Sequence, residues 1–431
     1  MTNYNRIQNP RGTLDVLPED QYYWDLVRSS AEQIAQQFGH QRIDTPVFEA
    51  TSLFSRTVGE GTDIVEKEMY TFNDRGDESL TLRPEGTAPV SRAYIQHGMH
   101  SMPQPVRLYY ITPIFRYERP QSGRFRQHWQ FGVEAIGDES ALIDAEVIHL
   151  LWSFLVSLGL KDIKLLINSI GDSNCRPKYL DQLQSYYSKY KEQICDDCKV
   201  RLQKNPLRLL DCKQPSCQTI KSDAPNMIDH LCTECNEHFT SVRQLLEMWH
   251  IPYDIDTNLV RGLDYYTKTV FEIHPERSGS QTALGAGGRY DGLIEQIGGA
   301  NTPGVGFGSG IERIIMNLKE QNTDLKNDIP QKISLYIAHI GDESKEISLR
   351  LLGTLRNLGI QVNASSKSRS LKAQLRSANT MGVTHSLILG PDEIEHKQIK
   401  ILEMGSGEES KIQIDQVETY FQQKNRQTFN N

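Results

Sequence analysis

Residues 112–136, TPIFRYERPQSGRFRQHWQFGVEAI, constrain this chain more than any other stretch. They read as a strand, an arginine-rich loop and a returning strand. Pro120 and Gly123 mark the turn, and Arg116, Arg119, Arg124 and Arg126 crowd the loop. Side chains alternate across a strand, so Gln130, Gly132 and Glu134 share one face while Phe131, Val133 and Ala135 share the other. The second face is core. The first is polar, with a glycine gap through which a ligand can approach. Arginines feeding a buried Gln/Glu face suit a polyanion held beside a small cationic ligand. A salt-bridged hairpin on an open surface is the other reading of the same residues.

The chain has 431 residues, 38% of them hydrophobic, which implies two or three domains with an ample core. Its longest apolar stretch, Val147 to Leu160, is broken by His149, Ser153, Ser157 and Gly159 and is too short to span a membrane. The first residues, MTNYNRIQNPRG, carry no apolar leader, so a cytoplasmic location is expected. Seven cysteines in such a chain argue for reduced thiols rather than disulfides.

The net charge of -8 argues against a general nucleic-acid binder, but its distribution is uneven. Residues 331–431 hold 13 Lys+Arg against 11 Asp+Glu. Within them, Ile347 to Pro391 contains no acid yet carries Arg350, Arg356, Lys367, Arg369, Lys372 and Arg376. That stretch suits a phosphate backbone, or a solvated helix face.

Periodicity predicts a helix over 21–39, an extended segment around Pro46, a strand over 79–83 and a turn at 84–87. It then predicts a helix over 141–159 and a strand over 163–170. Residues 177–250 read as a mostly helical insertion. A strand follows over 265–273, then a glycine-rich turn over 285–292, then a strand running into a helix over 304–318 that carries Arg313. After a polar linker, a β-α-β-α-β pattern implies a separate α/β domain. Residues alone thus support an α+β chain with a C-terminal α/β domain. The GxGxG near Gly304 lacks the ending of a phosphate-binding P-loop. Cys195-x-x-Cys198 and Cys232-x-x-Cys235 have the spacing of a zinc knuckle, with Cys212 and Cys217 between them, which fits either a Cys₄ zinc site or reduced, partly buried cysteines.

Taken together, these segments resemble the class II aminoacyl-tRNA synthetases, and within that class the histidyl-tRNA synthetases. FRYER with the following Gln, Gly and Glu is similar to motif 2 of the class, GFGSGIERI to motif 3, and the segment around Pro46 to motif 1. RGLDYYT and GAGGRYDGL resemble the two peptides peculiar to the histidine enzymes, and TLRPEGT at 81–87 matches as well. The resemblance spans nearly the whole chain. It implies a class II antiparallel sheet flanked by helices (1–325), an insertion at about 175–255, and an anticodon-binding α/β domain (331–431). A homodimer joined near motif 1 is implied too.

The implied reaction ligates L-histidine to tRNA(His) through a histidyl-adenylate, at the expense of ATP with Mg²⁺. By resemblance, Arg116, Arg261 and Arg313 are the catalytic cations, and Glu118 and Phe125 join Arg116 and Arg313 around ATP. Glu85, Thr87 and Gln130 match contacts to the α-ammonium group, and Glu134, Tyr266 and Tyr290 match the surroundings of the imidazole. Arg119 and Gln121 are expected at the tRNA acceptor end, with Lys367, Arg369, Lys372 and Arg376 at the anticodon stem-loop. A rival within the resemblance is a histidine-binding regulatory paralogue of histidine biosynthesis that does not charge tRNA.

Overall fold

The structure, a computed structural model, describes residues 6–59, 62, 64–121, 123–276, 283–321, 333–365 and 369–429, with side chains through Lys424 at the C-terminal end. It divides into two compact units, Met1–Thr323 and Asp324–Asn431.

The first unit is built on an eight-stranded sheet. Its centre is antiparallel: Val106–Phe115, Gln127–Ile136, Gly304–Gly310, Gly285–Arg289, Thr267–Pro275 and Ile163–Ser169 lie side by side in that order. The short edge strands Gln41–Arg42 and Asp254–Ile255 pair in parallel. Helices Gln21–Gln37, Ala141–Ser157 and Ile311–Glu320 cover one face. Phe131, Val133 and Ala135 point into that face and are fully buried, with Phe131 edge-on to Phe154 at 4.9 Å. The helix over 21–37 ends where Gly39 takes φ +76°, as its glycine C-cap signal implies.

Two sequence expectations change here. Residues 285–289 form a buried central strand, not a turn. The glycines disguise it, because glycine weakens strands; here it is required, since a side chain at Gly287 would overlap Phe271 and the backbone of Gly306. The opening expected at Gly132 is also absent. The ring of Tyr110, from the neighbouring strand, fills it.

Arg289 leaves this strand to anchor the sheet to its helices. It is fully buried and ion-paired with Asp144, which His238 also contacts at 2.7 Å, and it donates to the carbonyls of Asp138 and Ser140. The insertion contributes helices Arg176–Ser188, Asp196–Lys204, Pro215–Lys221 and Thr233–Met248. Its first three helices gather around a small core that includes Tyr179, Leu183 and Tyr187.

The second unit places strands Gln361–Ala364, Ser334–His339 and His385–Leu389 in parallel, which the β-α-β-α-β pattern implies. Two further antiparallel strands, Gln398–Glu403 and Glu409–Gln413, extend it beyond what the pattern foresaw. Leu335, Ile337, Leu387, Ile401 and Phe421 fill its core.

Replacing Arg289 with Met should lower folding stability by about 3–5 kcal/mol, because it strands a buried Asp144 carboxylate without its cation. Denaturant unfolding of the two proteins measures this. An unchanged midpoint would contradict it.

Candidate active site

Two strands that run antiparallel set the floor of the site. Gly306 pairs with Glu134, Gly308 with Gly132 and Gly310 with Gln130. Any side chain on Gly306 or Gly308 would overlap Glu134 or Gln130. The glycines therefore leave both polar side chains lying flat across the sheet, under a cavity of about 680 Å³.

Glu134 is completely buried. It accepts hydrogen bonds from Thr87 Oγ1 at 2.8 Å, Tyr110 OH at 3.2 Å and Tyr290 OH at 2.6 Å. Burial pushes its carboxyl up to about 8. Glu85 is also buried and caps the helix that begins at Thr87, accepting from the backbone N–H groups of Thr87 and Ala88 at 2.6 and 2.8 Å. Burial raises its carboxyl as well. Two carboxyls thus share a wall, and Tyr265, Tyr266 and Tyr290 enclose them.

Opposite stands a positive rim. Arg116 donates through Nε to the Pro84 carbonyl at 2.7 Å, and Arg313 to the Gly123 carbonyl at 2.7 Å. Gly123 holds φ +72° there, as the turn of the arginine-rich loop requires. Arg124 pairs with Glu118 at 3.3 Å. Arg261 pairs with Glu272 and keeps a buried Nε that has no partner among the described residues. The field is visible at His128. Burial, then Arg116 and Arg313, pull its imidazole down to about 3, so it is neutral.

Glu85, Thr87, Arg116, Glu118, Gln121, Phe125, Gln130, Arg261, Tyr266 and Arg313 all line this one cavity. Glu134 and Tyr290 lie behind its wall, Glu134 accepting from Thr87 Oγ1 and from Tyr290 OH. Arg119 is exposed on the loop. In the second unit, Arg369, Lys372 and Arg376 are exposed, with Lys372 and Arg376 one turn apart on helix Leu371–Thr380; Lys367 lies outside the described residues. Sequence reasoning passed over Tyr110, Tyr265, His128 and Glu272. Tyr110 and Glu272 alternate on strands with no charged or glycine-rich signature. Tyr265 and His128 lie inside stretches already singled out, but nothing in those stretches separates them from their neighbours.

The cysteines divide differently from the candidate Cys₄ set. Cys195 and Cys198 converge with Cys212 and Cys217, while Cys232 and Cys235 converge with Cys175 and Asp172. Chain proximity misled the pairing: Cys175 lies before the insertion's helices and is brought back to Cys232 by the fold.

A family model described as histidyl-tRNA synthetase matches residues 12–314, and one described as an anticodon binding domain matches residues 334–424. Histidine–tRNA ligase of Dehalococcoides mccartyi is 50% identical over 410 residues, 95% of this chain and 98% of that protein. The ligase of Caldanaerobacter subterraneus subsp. tengcongensis is 47% identical over 409 residues, 95% of this chain and 98% of its own length. The crystal structure of apo S. aureus histidyl-tRNA synthetase superimposes with a TM-score of 0.81 at 38% identity, covering 97% of this chain and 100% of that one.

The raised Glu134 carboxyl has a signed consequence. The unfolded chain loses this proton near the ordinary 4.5, whereas the folded chain keeps it to about 8. The ligand-free fold therefore has its full stability from this group below pH ~4.5 and loses it as pH climbs towards ~8. Glu134→Gln should gain on the parent protein by on the order of a few kcal/mol between about pH 5 and about pH 8.5. Parallel melting curves across that window would contradict the assignment.

Proposed function

This chain belongs to the histidyl-tRNA synthetase family, and we propose that it ligates L-histidine to tRNA(His) through a histidyl-adenylate at the cavity just described. One observation carries the reading: Glu85, Arg116, Arg261 and Arg313 face a single space, floored by Gln130 and backed by Glu134. The histidine carboxylate attacks the α-phosphorus of ATP and pyrophosphate leaves. The terminal ribose hydroxyl of the tRNA then attacks the activated carbonyl, and AMP leaves.

No protein nucleophile is needed. The side chains orient the reactants and neutralise charge that grows on the transferring group. Arg116 and Arg313 take the phosphates, and Phe125 and Glu118 take the adenine. Arg261, with its unpartnered Nε, takes the α-phosphate and the histidine carboxylate between them. Mg²⁺ bound with the triphosphate would supply further neutralisation, and Glu272 is an oxygen donor of the kind it accepts.

Glu85, Thr87 and Gln130 receive the α-ammonium group. Glu134 and Tyr266, with Tyr290 behind, receive the imidazole. A carboxyl poised near 8 stands close to the proton affinity of an imidazole, ordinarily about 6.5, so one proton serves both partners. A pocket with such buried polar groups rejects amino acids that cannot pair with them.

Arg119 and Gln121 face the acceptor end, and Arg369, Lys372 and Arg376, with Lys367, face the anticodon stem-loop. A homodimer through the motif 1 region fits the exposed Val47, Phe48 and Phe72, the last two on a three-stranded sheet formed by Phe48–Ala50, Ser79–Leu82 and Tyr70–Asn73. Seven free cysteines suit the cytoplasm, and no helix among the described residues is long and apolar enough to cross a membrane. A purely regulatory, histidine-binding role would leave the three cavity arginines and the second unit without a task.

ATP–pyrophosphate exchange should depend on histidine, and its absence would overturn the proposal. Arg261→Gln should slow exchange by about 100- to 1,000-fold, the usual effect of removing one such stabilising group; a change below tenfold would dismiss Arg261 from the chemistry. Replacing both Lys372 and Arg376 with Ala should raise KM for tRNA and flatten its salt dependence while exchange stays unchanged. Equal tRNA kinetics in both proteins would remove these two residues from the interface.

A further inference from the structure

We infer that the insertion holds two structural zinc ions, one on Cys195, Cys198, Cys212 and Cys217, the other on Asp172, Cys175, Cys232 and Cys235. These two groups use all seven cysteines of the chain. Within each, the ligand atoms lie within 4.8 Å of one another. Reduced cysteines that merely fill a core have no reason to sort into two sets of four donors.

Local geometry suits the metal. Tetrahedral zinc with bonds of about 2.3 Å to sulfur sets neighbouring sulfurs about 3.8 Å apart. Cys195 Sγ and Cys212 Sγ are 3.8 Å apart. In the second group, Asp172 Oδ1 lies 3.4 Å from Cys175 Sγ and 4.0 Å from Cys232 Sγ, around the roughly 3.6 Å expected for an oxygen–sulfur edge.

The backbone places helix N-termini and N–H groups beside both sets of donors. Cys195 is the N-cap of helix Asp196–Lys204, with Cys198 in its first turn. Cys232 and Cys235 repeat this on Thr233–Met248, and Cys175 caps Arg176–Ser188. Three helix N-termini therefore point their positive ends at the two clusters. Backbone N–H groups also reach the sulfurs: Cys195 N donates to Cys217 Sγ at 3.3 Å and Asp172 N to Cys175 Sγ at 3.5 Å. Cys198, Cys217 and Cys235 are buried and the four donors of each set lie within 4.8 Å of one another, as in closed, structural sites rather than catalytic ones. Sulfur donors select zinc over magnesium or calcium.

The insertion also needs such support. Its core spans Cys175 to Cys235, a size at which hydrophobic burial alone leaves little margin. On binding, each cysteine yields its thiol proton to solvent and keeps its electron pair for the metal. The first cluster borders the active-site cavity, where Cys195 and Cys212 line the wall beside Arg208 and Lys213. Zinc there would fix the basic segment that faces the substrates.

Elemental analysis of the full chain, purified without chelators, should find about two zinc ions per chain. Cys198→Ser and Cys235→Ser should each remove about one. If these variants do not fold, the unaltered protein decides: an organomercurial thiol reagent should release both ions to a chromogenic chelator as the thiols react. Four findings would overturn the proposal: less than one zinc per chain with seven free thiols, a single zinc, iron with acid-labile sulfide, or disulfides.

Discussion

Glu134 and Glu85 are buried carboxyls, and the first unit is arranged around satisfying them. Each is raised by burial, so the ionised form of either carboxyl is disfavoured without a cationic partner. In the proposed reaction, the ammonium group and the imidazole of histidine would relieve both. The fold tolerates this because two tyrosines and one threonine donate to Glu134, and two backbone amides donate to Glu85.

The glycines in the sheet follow from the same constraint. Gly306 and Gly308 leave Glu134 and Gln130 room to lie across the strands, and Gly86 and Gly132 leave room for the ring of Tyr110. Glycine weakens a strand interior. That weakness is offset on the opposite face, where Phe131, Val133, Phe154 and Phe307 pack without exposure or nearly so. The arginine rim completes the device. Arg116 and Arg313 are tied by their Nε atoms to backbone carbonyls, and Arg313 Nη1 also donates to the Ala283 carbonyl at 3.2 Å, so both guanidinium groups are fixed at the cavity's edge. A neutral His128 between them adds no further positive charge.

Much of this was legible in the chain. Period-2 alternation placed Gln130, Gly132 and Glu134 on one face of a strand, and the register with Gly304–Gly310 agrees. The arginine loop and the helix bearing Arg313 were readable from turn residues and a period of 3.6. What escaped was long-range. GAGGR looked like a turn because its glycines answer to neighbouring strands, not to local preference. Tyr110 entered the Gly132 gap from a strand whose own pattern carries no functional mark. The cysteine sets were mispaired because CxxC spacing fixes two ligands and says nothing of which distant pair completes them.

The central claim is that one cavity accommodates an activated amino acid and a nucleotide together. Calorimetric titration of the full chain with a non-hydrolysable analogue of histidyl-adenylate tests it most directly, against histidine and ATP titrated singly. The joined analogue should bind about 10²- to 10⁴-fold more tightly than either part, because its two halves are held at one effective concentration. An analogue that binds no better than histidine alone would mean that the carboxyl pocket and the arginine rim are separate sites, and would contradict the account.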